Sequence, residues 1–347
     1  MEVEEQNSKV NVDSRILKPG FCCFGVTDAC MLRCKMCEKW KGDLVADTST
    51  NRPPTLEEWK RCAASLRRMV DEHFIIDIGG GEALMMEGVL DLVRYSVDLG
   101  FDTSIASNGW PINEDMAGKI ANSGLKMISI SLDSHRKEVH DYLRGVRGVY
   151  DRVINAIDYL HKYCSKDFSI NICCAIYEIN QGDIMELIKW ASSNDKITGS
   201  INFMACMQPN NTPPEEGWYL NRYSFLWPKD PDKTIDIIEN IINLKKNKWK
   251  IGNPISQLRA FQAYYQDPKK FVKKKQCNLD RAVHVSGVGD MFLCYQWECL
   301  GNIKTDNLKD RWYSDDAFKV REKIAECKNN CHFLLNCFDE FDEDFRG

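Results

Sequence analysis

The sequence has no excess of positive charge: 46 lysines and arginines stand against 51 aspartates and glutamates, a formal net charge of -5. That balance excludes the broad basic footprint that holds nucleic-acid phosphates without regard to sequence. Long apolar runs are missing too. Nowhere do about 18 apolar residues follow one another, so no segment reads as a membrane-spanning helix, and Met1 to Lys18 lacks the apolar stretch of a signal peptide. A cytoplasmic protein is expected. No internal repeat is present either, which excludes solenoids and propellers. What the chain does have is 16 cysteines in 347 residues. Without a secretion signal these read as metal ligands and core residues, with disulfide staples as the alternative, because cytosolic thiols are kept reduced.

Taken in order, the chain opens with a short arm over residues 1–20. Phe21 to Thr27 reads as a buried strand, with Cys22 and Cys23 as core residues. Helical spacing over Thr55 to Glu72 is followed by an apolar strand over Phe74 to Ile78 and the turn Gly79-Gly80-Gly81-Glu82. Strands are then predicted over Asp102 to Ser107, Met127 to Leu132, Phe168 to Ile176 and Gly199 to Met207. Helical segments fall at Val89 to Leu99, Asn113 to Ser123, Tyr150 to Tyr163 and Ile184 to Ala191. Six strands, most of them separated by helix-length segments, imply an α/β fold with a parallel sheet. Regularity breaks at Gln208, and the aromatic-rich stretch from Trp218 to Trp227 reads either as a lid or as packing against the sheet. The expected organisation is therefore 21–207 as a βα domain, 208–276 as a linking or substrate-covering segment, and 277–347 as a small cysteine-rich domain.

Between the first strand and the first long helix lies Cys30-Met-Leu-Arg-Cys34-Lys-Met-Cys37. Thiolates are soft ligands that select zinc, copper(I) or iron-sulfur clusters. A closed structural site wants four protein ligands, so three leave one metal open to a substrate. The alternatives are a zinc knuckle or three unrelated thiols. The C-x3-C-x2-C spacing resembles the signature of the radical S-adenosylmethionine (SAM) superfamily, whose fold is a partial (β/α)6 TIM-like barrel. The resemblance implies a [4Fe-4S] cluster on Cys30, Cys34 and Cys37, whose open iron is chelated by SAM. Reductive cleavage of SAM then gives a 5'-deoxyadenosyl radical that takes hydrogen from a substrate C-H.

Two further stretches extend the resemblance. Gly80, Gly81 and Glu82 stand where the superfamily carries a Gly-Gly-Glu-Pro turn for the SAM amino group, with Ala83 here in place of proline; a carboxylate at that place suits an ammonium. Downstream, Ser129 to Ser134 and the run His140-Asp-Tyr-Leu-Arg144-Gly145 resemble the fourth-strand region, so Ser131 and Arg144 are expected to hold the SAM ribose and carboxylate. His140 and Asp141 are expected only to brace that loop. Met36 replaces a commonly aromatic residue that contacts adenine, and its thioether can lie on a ring face. Asn108 and Asn171 sit at strand positions where solvation or ligand contact is open.

The C-terminal cysteines form the second pattern. Cys277, Gly289 and Cys294, with a hairpin expected between Ala282 to Ser286 and Met291 to Tyr295, resemble the opening of SPASM and twitch auxiliary-cluster domains. Cys327, Cys331 and Cys337 follow. With Phe341 where a further cysteine would fall, the resemblance implies one auxiliary [4Fe-4S] cluster on Cys277, Cys294 and two of Cys327, Cys331 and Cys337; a tetrathiolate zinc site is the alternative. Cys206, near the end of the sixth strand, is a candidate hydrogen-atom donor to a substrate radical.

The expected function is a radical SAM enzyme that modifies a ribosomally made peptide by crosslinking, epimerisation or oxidation. Dehydrogenation of a small alcohol or sugar is the alternative within the superfamily, and an iron-sulfur electron carrier or scaffold the alternative outside it. A flavodoxin- or ferredoxin-type protein is the expected electron donor.

Overall fold

A computed structural model describes residues 17–42, 52–272 and 277–337. Most of the expected arm, residues 1–16, and the position of Phe341 lie outside the described residues. Among the described residues nine strands form one sheet: β1 (Phe21–Thr27), β2 (Ile75–Gly80), β3 (Asp102–Ser107), β4 (Met127–Ser131), β5 (Ser169–Ile176), β6 (Ile201–Ala205), β7 (Ala282–Val285), β8 (Asp290–Phe292) and β9 (Gly301–Asn302). Their order is β6-β5-β4-β3-β2-β1-β7-β8-β9. From β6 to β7 every pairing is parallel, and β7-β8-β9 is an antiparallel meander. The protein is thus an α/β partial barrel. The sheet crosses the expected boundary near residue 277, because β7 pairs directly with β1 from Phe21↔Ala282 to Phe24↔Val285.

The helices are α1 (Lys39–Gly42), α2 (Leu56–Arg67), α3 (Val89–Asp98), α4 (Glu114–Ala121), α5 (Lys137–Arg144), α6 (Val149–Tyr163), α7 (Ile184–Ser193), α8 (Pro231–Lys246), α9 (Ile255–Gln266), α10 (Leu308–Trp312), α11 (Asp315–Glu326) and α12 (His332–Asn336). None is long and apolar enough to cross a membrane. Thr55 caps α2 in a capping box with Glu58, and Asn113 caps α4 through Met116 N. Helix α5 was not expected: the run around His140 is a helix, ended by Gly145 at φ 72°.

Alternation on the strands sorts the side chains. Phe24 faces outward onto Trp59 of α2, with ring centroids 5.2 Å apart, and both are fully buried. Cys23, Asp77 and Ser104, aligned across β1, β2 and β3, take the opposite face and line the barrel interior. Ser104 Oγ donates to Asp77 Oδ1. Burial raises the Asp77 carboxyl above its usual value. Between Trp218 and Trp227 the chain packs rather than hangs free: Trp218, Tyr223 and Trp227 are buried, and Trp227 lies 5.3 Å from Tyr264 and 5.2 Å from Tyr265.

Candidate functional site

The thiol loop follows β1 and is held by main-chain hydrogen bonds from three directions. Gly81 N donates to Thr27 O (2.7 Å) and Glu82 N to Ala29 O (2.8 Å). Arg33 N reaches Arg144 O (3.1 Å) and Lys35 N reaches Leu143 O (2.8 Å) at the end of α5. On the far side Glu38 N donates to Asn210 O (2.8 Å) and Asn210 N to Met36 O (3.2 Å). Two glycines make the approach close enough. A Cβ on Gly81 would stand 2.4 Å from Ala29 O, and one on Gly145 would stand 2.0 Å from Arg33 O.

Cys30, Cys34 and Cys37 are half-buried. Burial raises each thiol, and each is raised further by the charge of another of the three. Among the described residues no three His, Cys, Asp or Glu side chains converge as a single-ion site.

Two buried polar chains flank the thiols. On the first, Asn108 Nδ2 lies 3.6 Å from Cys30 Sγ, and its backbone N donates to Glu82 Oε2 at 2.7 Å. Glu82 is 1% exposed and also accepts from Ser107 Oγ (2.9 Å) and Leu84 N (3.3 Å). Burial outweighs these bonds and pushes its carboxyl up to about 7. It forms no ion pair of 4.0 Å or less with a base among the described residues, so an ammonium would be welcome there.

On the second chain, Arg144 places Nη2 2.8 Å from Asp133 Oδ2, an ion pair without hydrogen-bond alignment, and its charge opposes the rise that burial gives the Cys34 thiol. Burial opposes the arginine charge, but the Asp133 and Cys34 charges outweigh it and hold the guanidinium protonated. Arg144 Nε and Asp133 Oδ2 are buried without hydrogen-bond partners. A carboxylate would satisfy the free N-H, and a hydroxyl the free oxygen.

The other sequence candidates are placed as follows. His140 Nδ1 accepts from Asp133 N at 3.1 Å, and burial, then Arg144, keeps the ring neutral. Asp141 takes Gly148 N (2.7 Å) and Tyr150 N (2.9 Å) at the start of α6. Ser131 ends β4 in register with Cys173, and Met36 packs half-buried on the core. Asn171 Oδ1 accepts from Ser200 N at 2.9 Å, a bond that ties β5 to the residue before β6. Cys206 is fully enclosed, its thiol bonded to Leu226 O at 3.7 Å and its backbone to the Tyr264 and Tyr265 hydroxyls. Sequence reasoning missed Asp133 as the partner of Arg144, and Asp77. A lone charge inside the apolar strand Phe-Ile-Ile-Asp-Ile was the available sign of Asp77.

At the other end of the chain Cys277, Cys294, Cys327 and Cys331 line one small apolar cavity, walled by Trp297 and Leu334 among others. Four thiols around one cavity suit a four-iron cluster and equally a tetrathiolate zinc ion. Cys337 does not line it. Burial raises this thiol, and the charges of Cys23, Asp77, Cys331 and Cys173 raise it further. Helix α12, which Cys337 follows, is tied to β6 where Asn336 clasps Ala205 through Oδ1 to N (2.7 Å) and Nδ2 to O (3.1 Å).

Residues 25–191 match the radical SAM superfamily. Those residues form a radical SAM domain. It is 24% identical over 277 residues to an AdoMet-dependent heme synthase of Methanosarcina barkeri, covering 74% of this chain and 73% of that one. It is 25% identical over 312 residues to the PqqA peptide cyclase of Rhizobium meliloti, covering 88% and 76%. With mycofactocin maturase MftC of Mycolicibacterium smegmatis it shares 29% identity over 161 residues, 46% of this chain and 38% of the relative, so little more than a third of that protein is spanned. The fold is that of Streptococcus suis SuiB bound to S-adenosylmethionine, with a TM-score of 0.67 at 16% identity over 94% of this chain and 76% of SuiB. It is also that of anSMEcpe with bound AdoMet and Cp18Cys peptide, with a TM-score of 0.63 at 18% identity over 91% and 86%. Radical SAM proteins of this kind are enzymes, and the superfamily implies SAM and a [4Fe-4S] cluster.

Proposed function

We propose that this enzyme cleaves SAM reductively at the Cys30, Cys34 and Cys37 loop and abstracts hydrogen from a peptide substrate held in the barrel interior. The observation that carries the reading is the pairing of each buried polar chain with a loop thiol. Glu82 is reached from Cys30 through Asn108, and the Arg144 charge acts on the Cys34 thiol. Cys30, Cys34 and Cys37 would hold a four-iron cluster, which would supply one electron to the SAM sulfonium. Glu82 receives the SAM ammonium, Arg144 Nε the carboxylate, and Ser131 a ribose hydroxyl, while Gly80 and Gly81 let the backbone close on the ligand and Met36 covers the adenine. Cys277, Cys294, Cys327 and Cys331 hold one auxiliary cluster, giving residues 277–347 the character of a twitch-like region.

The peptide class is supported by the names of the relatives and neighbours, PqqA peptide cyclase and SuiB bound to precursor peptide SuiA among them. The test is anaerobic reconstitution with iron and sulfide, reduction, and addition of SAM. Expected are 5'-deoxyadenosine and a change in the EPR signal of the reduced cluster on SAM binding. A carrier or scaffold would give neither. Incubation with a precursor peptide encoded beside the gene is expected to change that peptide's mass; an unchanged peptide alongside 5'-deoxyadenosine release would turn the substrate class toward a small alcohol or sugar.

A further inference from the structure

On the reading above that the substrate is a peptide, we propose that Asp77 is its specificity-determining contact: a carboxylate at the foot of an open shaft in the barrel interior that receives the charged tip of a lysine or arginine side chain.

The shaft is built by register. Asp77 of β2 stands between Cys23 of β1 and Ser104 of β3, and all three point inward. Two residues further along each strand, toward the thiol loop, the same face carries small residues: Gly79 with Gly25 beside it, and Ala106 with Ser129 beside it. A Cβ on Gly79 would meet no atom within 4 Å. Ala106 is exposed although β3 lies inside the sheet, between β2 and β4. The wall above Asp77 is therefore low, with open space before it, and Asp77 itself is not sealed. From Asp77 the chain climbs to Gly81 at the loop end, about 13 Å away at the rise of a parallel strand.

The carboxyl at the foot of that space has no counter-charge. Ser104 Oγ donates to Asp77 Oδ1, and no lysine or arginine charge among the described residues acts on it. None of the residues that share its face of β1 to β6 is a lysine, arginine or histidine, and the other acid on that face is Asp102, which opens β3. His284, in register with Cys23 on β7, is held neutral by burial. Burial raises the Asp77 carboxyl, opposed by the Ser104 hydroxyl. An incoming cation would supply the opposite charge that the fold withholds, and would favour the ionised carboxylate.

Lysine and arginine are the side chains that fit this arrangement. Each carries its charge at the end of a long apolar stem, which can pass between walls of glycine, alanine and serine while the peptide backbone stays near the thiol loop. The C-H groups of the stem then lie between the carboxylate and the SAM end of the barrel.

The test uses the reconstituted holoenzyme with SAM and capped synthetic peptides, acetyl-Ala-X-Ala-amide, in which X is lysine, arginine, norleucine or glutamate. Unreduced enzyme reports binding by equilibrium dialysis. Enzyme reduced with dithionite reports deuterium carried from a deuterated X side chain into 5'-deoxyadenosine. The lysine or the arginine peptide is expected to bind at least about 30-fold more tightly than the norleucine peptide and to be the one that yields deuterium. Asp77→Asn is expected to erase that preference, and Asp77→Glu, which keeps the charge, to retain it. The comparison of peptides on the unaltered enzyme stands whether or not Asp77→Asn takes up its clusters. Equal binding of the basic and norleucine peptides, tighter binding of the glutamate peptide, 5'-deoxyadenosine without deuterium from either basic peptide, or a preference that survives Asp77→Asn overturns the proposal while leaving SAM cleavage standing. No 5'-deoxyadenosine from the unaltered enzyme with dithionite overturns the SAM reading itself.

Discussion

Arg144 and Asp133 meet behind Cys34 as a buried ion pair, Nη2 to Oδ2 at 2.8 Å, with the Asp133 side chain fully enclosed. Removing one partner strands the other in a poorly solvated place. Asp133→Asn is expected to destabilise the cluster-free protein by about 3–5 kcal/mol, read by denaturant unfolding. Arg144→Lys keeps the charge but loses the planar fork; SAM affinity is expected to fall about tenfold, near 1.4 kcal/mol, in an EPR titration of the reduced enzyme.

Glu82 gives a pH signature with a definite sign. Its carboxyl is raised from 4.5 to about 7 by burial, so between those values the folded chain keeps a proton that the unfolded chain has lost. Stability of the cluster-free protein therefore declines as pH rises across that window, by up to about 3 kcal/mol. Glu82→Gln is expected to flatten that part of the profile. An ammonium beside Glu82 favours the ionised form, so SAM affinity is expected to rise from pH 6 to 8 and to lose that slope in the variant.

His284 has the opposite dependence. Burial, aided by His332 and opposed by the hydrogen bond to Leu293 O at 2.9 Å, holds its ring down to about 4, below the ordinary 6.5. The unfolded chain takes up a proton that the folded one refuses, so stability present above pH 6.5 is lost toward pH 4, by up to about 3 kcal/mol. His284→Gln is expected to remove that share of the acid sensitivity in urea midpoints measured from pH 4 to 7.

Iron content separates the C-terminal thiols. Replacing any one of Cys277, Cys294, Cys327 or Cys331 by alanine is expected to lower the iron of the reconstituted enzyme from about eight atoms toward about four. Cys337→Ala, at a thiol outside that cavity, is expected to leave it unchanged.

Gly145 carries a steric prediction. At φ 72°, with Arg33 O 2.0 Å from where a Cβ would stand, Gly145→Ala has to push the thiol loop off α5. SAM binding is expected to be lost, with destabilisation of about 1–3 kcal/mol in thermal unfolding.

The periodicities that reveal strands and helices are local, and local information placed all six barrel strands to within about two residues. Strand β2 ran on to Gly80 because its glycines let it cross Thr27 O at a distance no Cβ allows. Helix α5 was hidden by reading His140 and Arg144 as loop chemistry, although Val139 and Leu143 already mark a buried face. What the residues could not reveal is what the fold alone decides. The partnership of Arg144 with Asp133 depends on a turn between β4 and α5, and the choice among Cys327, Cys331 and Cys337 depends on where α12 docks. Enclosure of Cys206 by Tyr264 and Tyr265 arises from a helix nearly 60 residues downstream.

The pairing of β7 with β1 gives the cysteine-rich end of the chain a share in building its beginning. Shortening the protein to remove the last four cavity thiols would bare the amides and carbonyls of Phe21 to Phe24, on the same strand that feeds Cys30. Such a truncation would report on the integrity of the first metal centre as much as on the purpose of the second. Point substitutions at the thiols, which leave the hydrogen-bonded seam intact, are the way to tell the two apart.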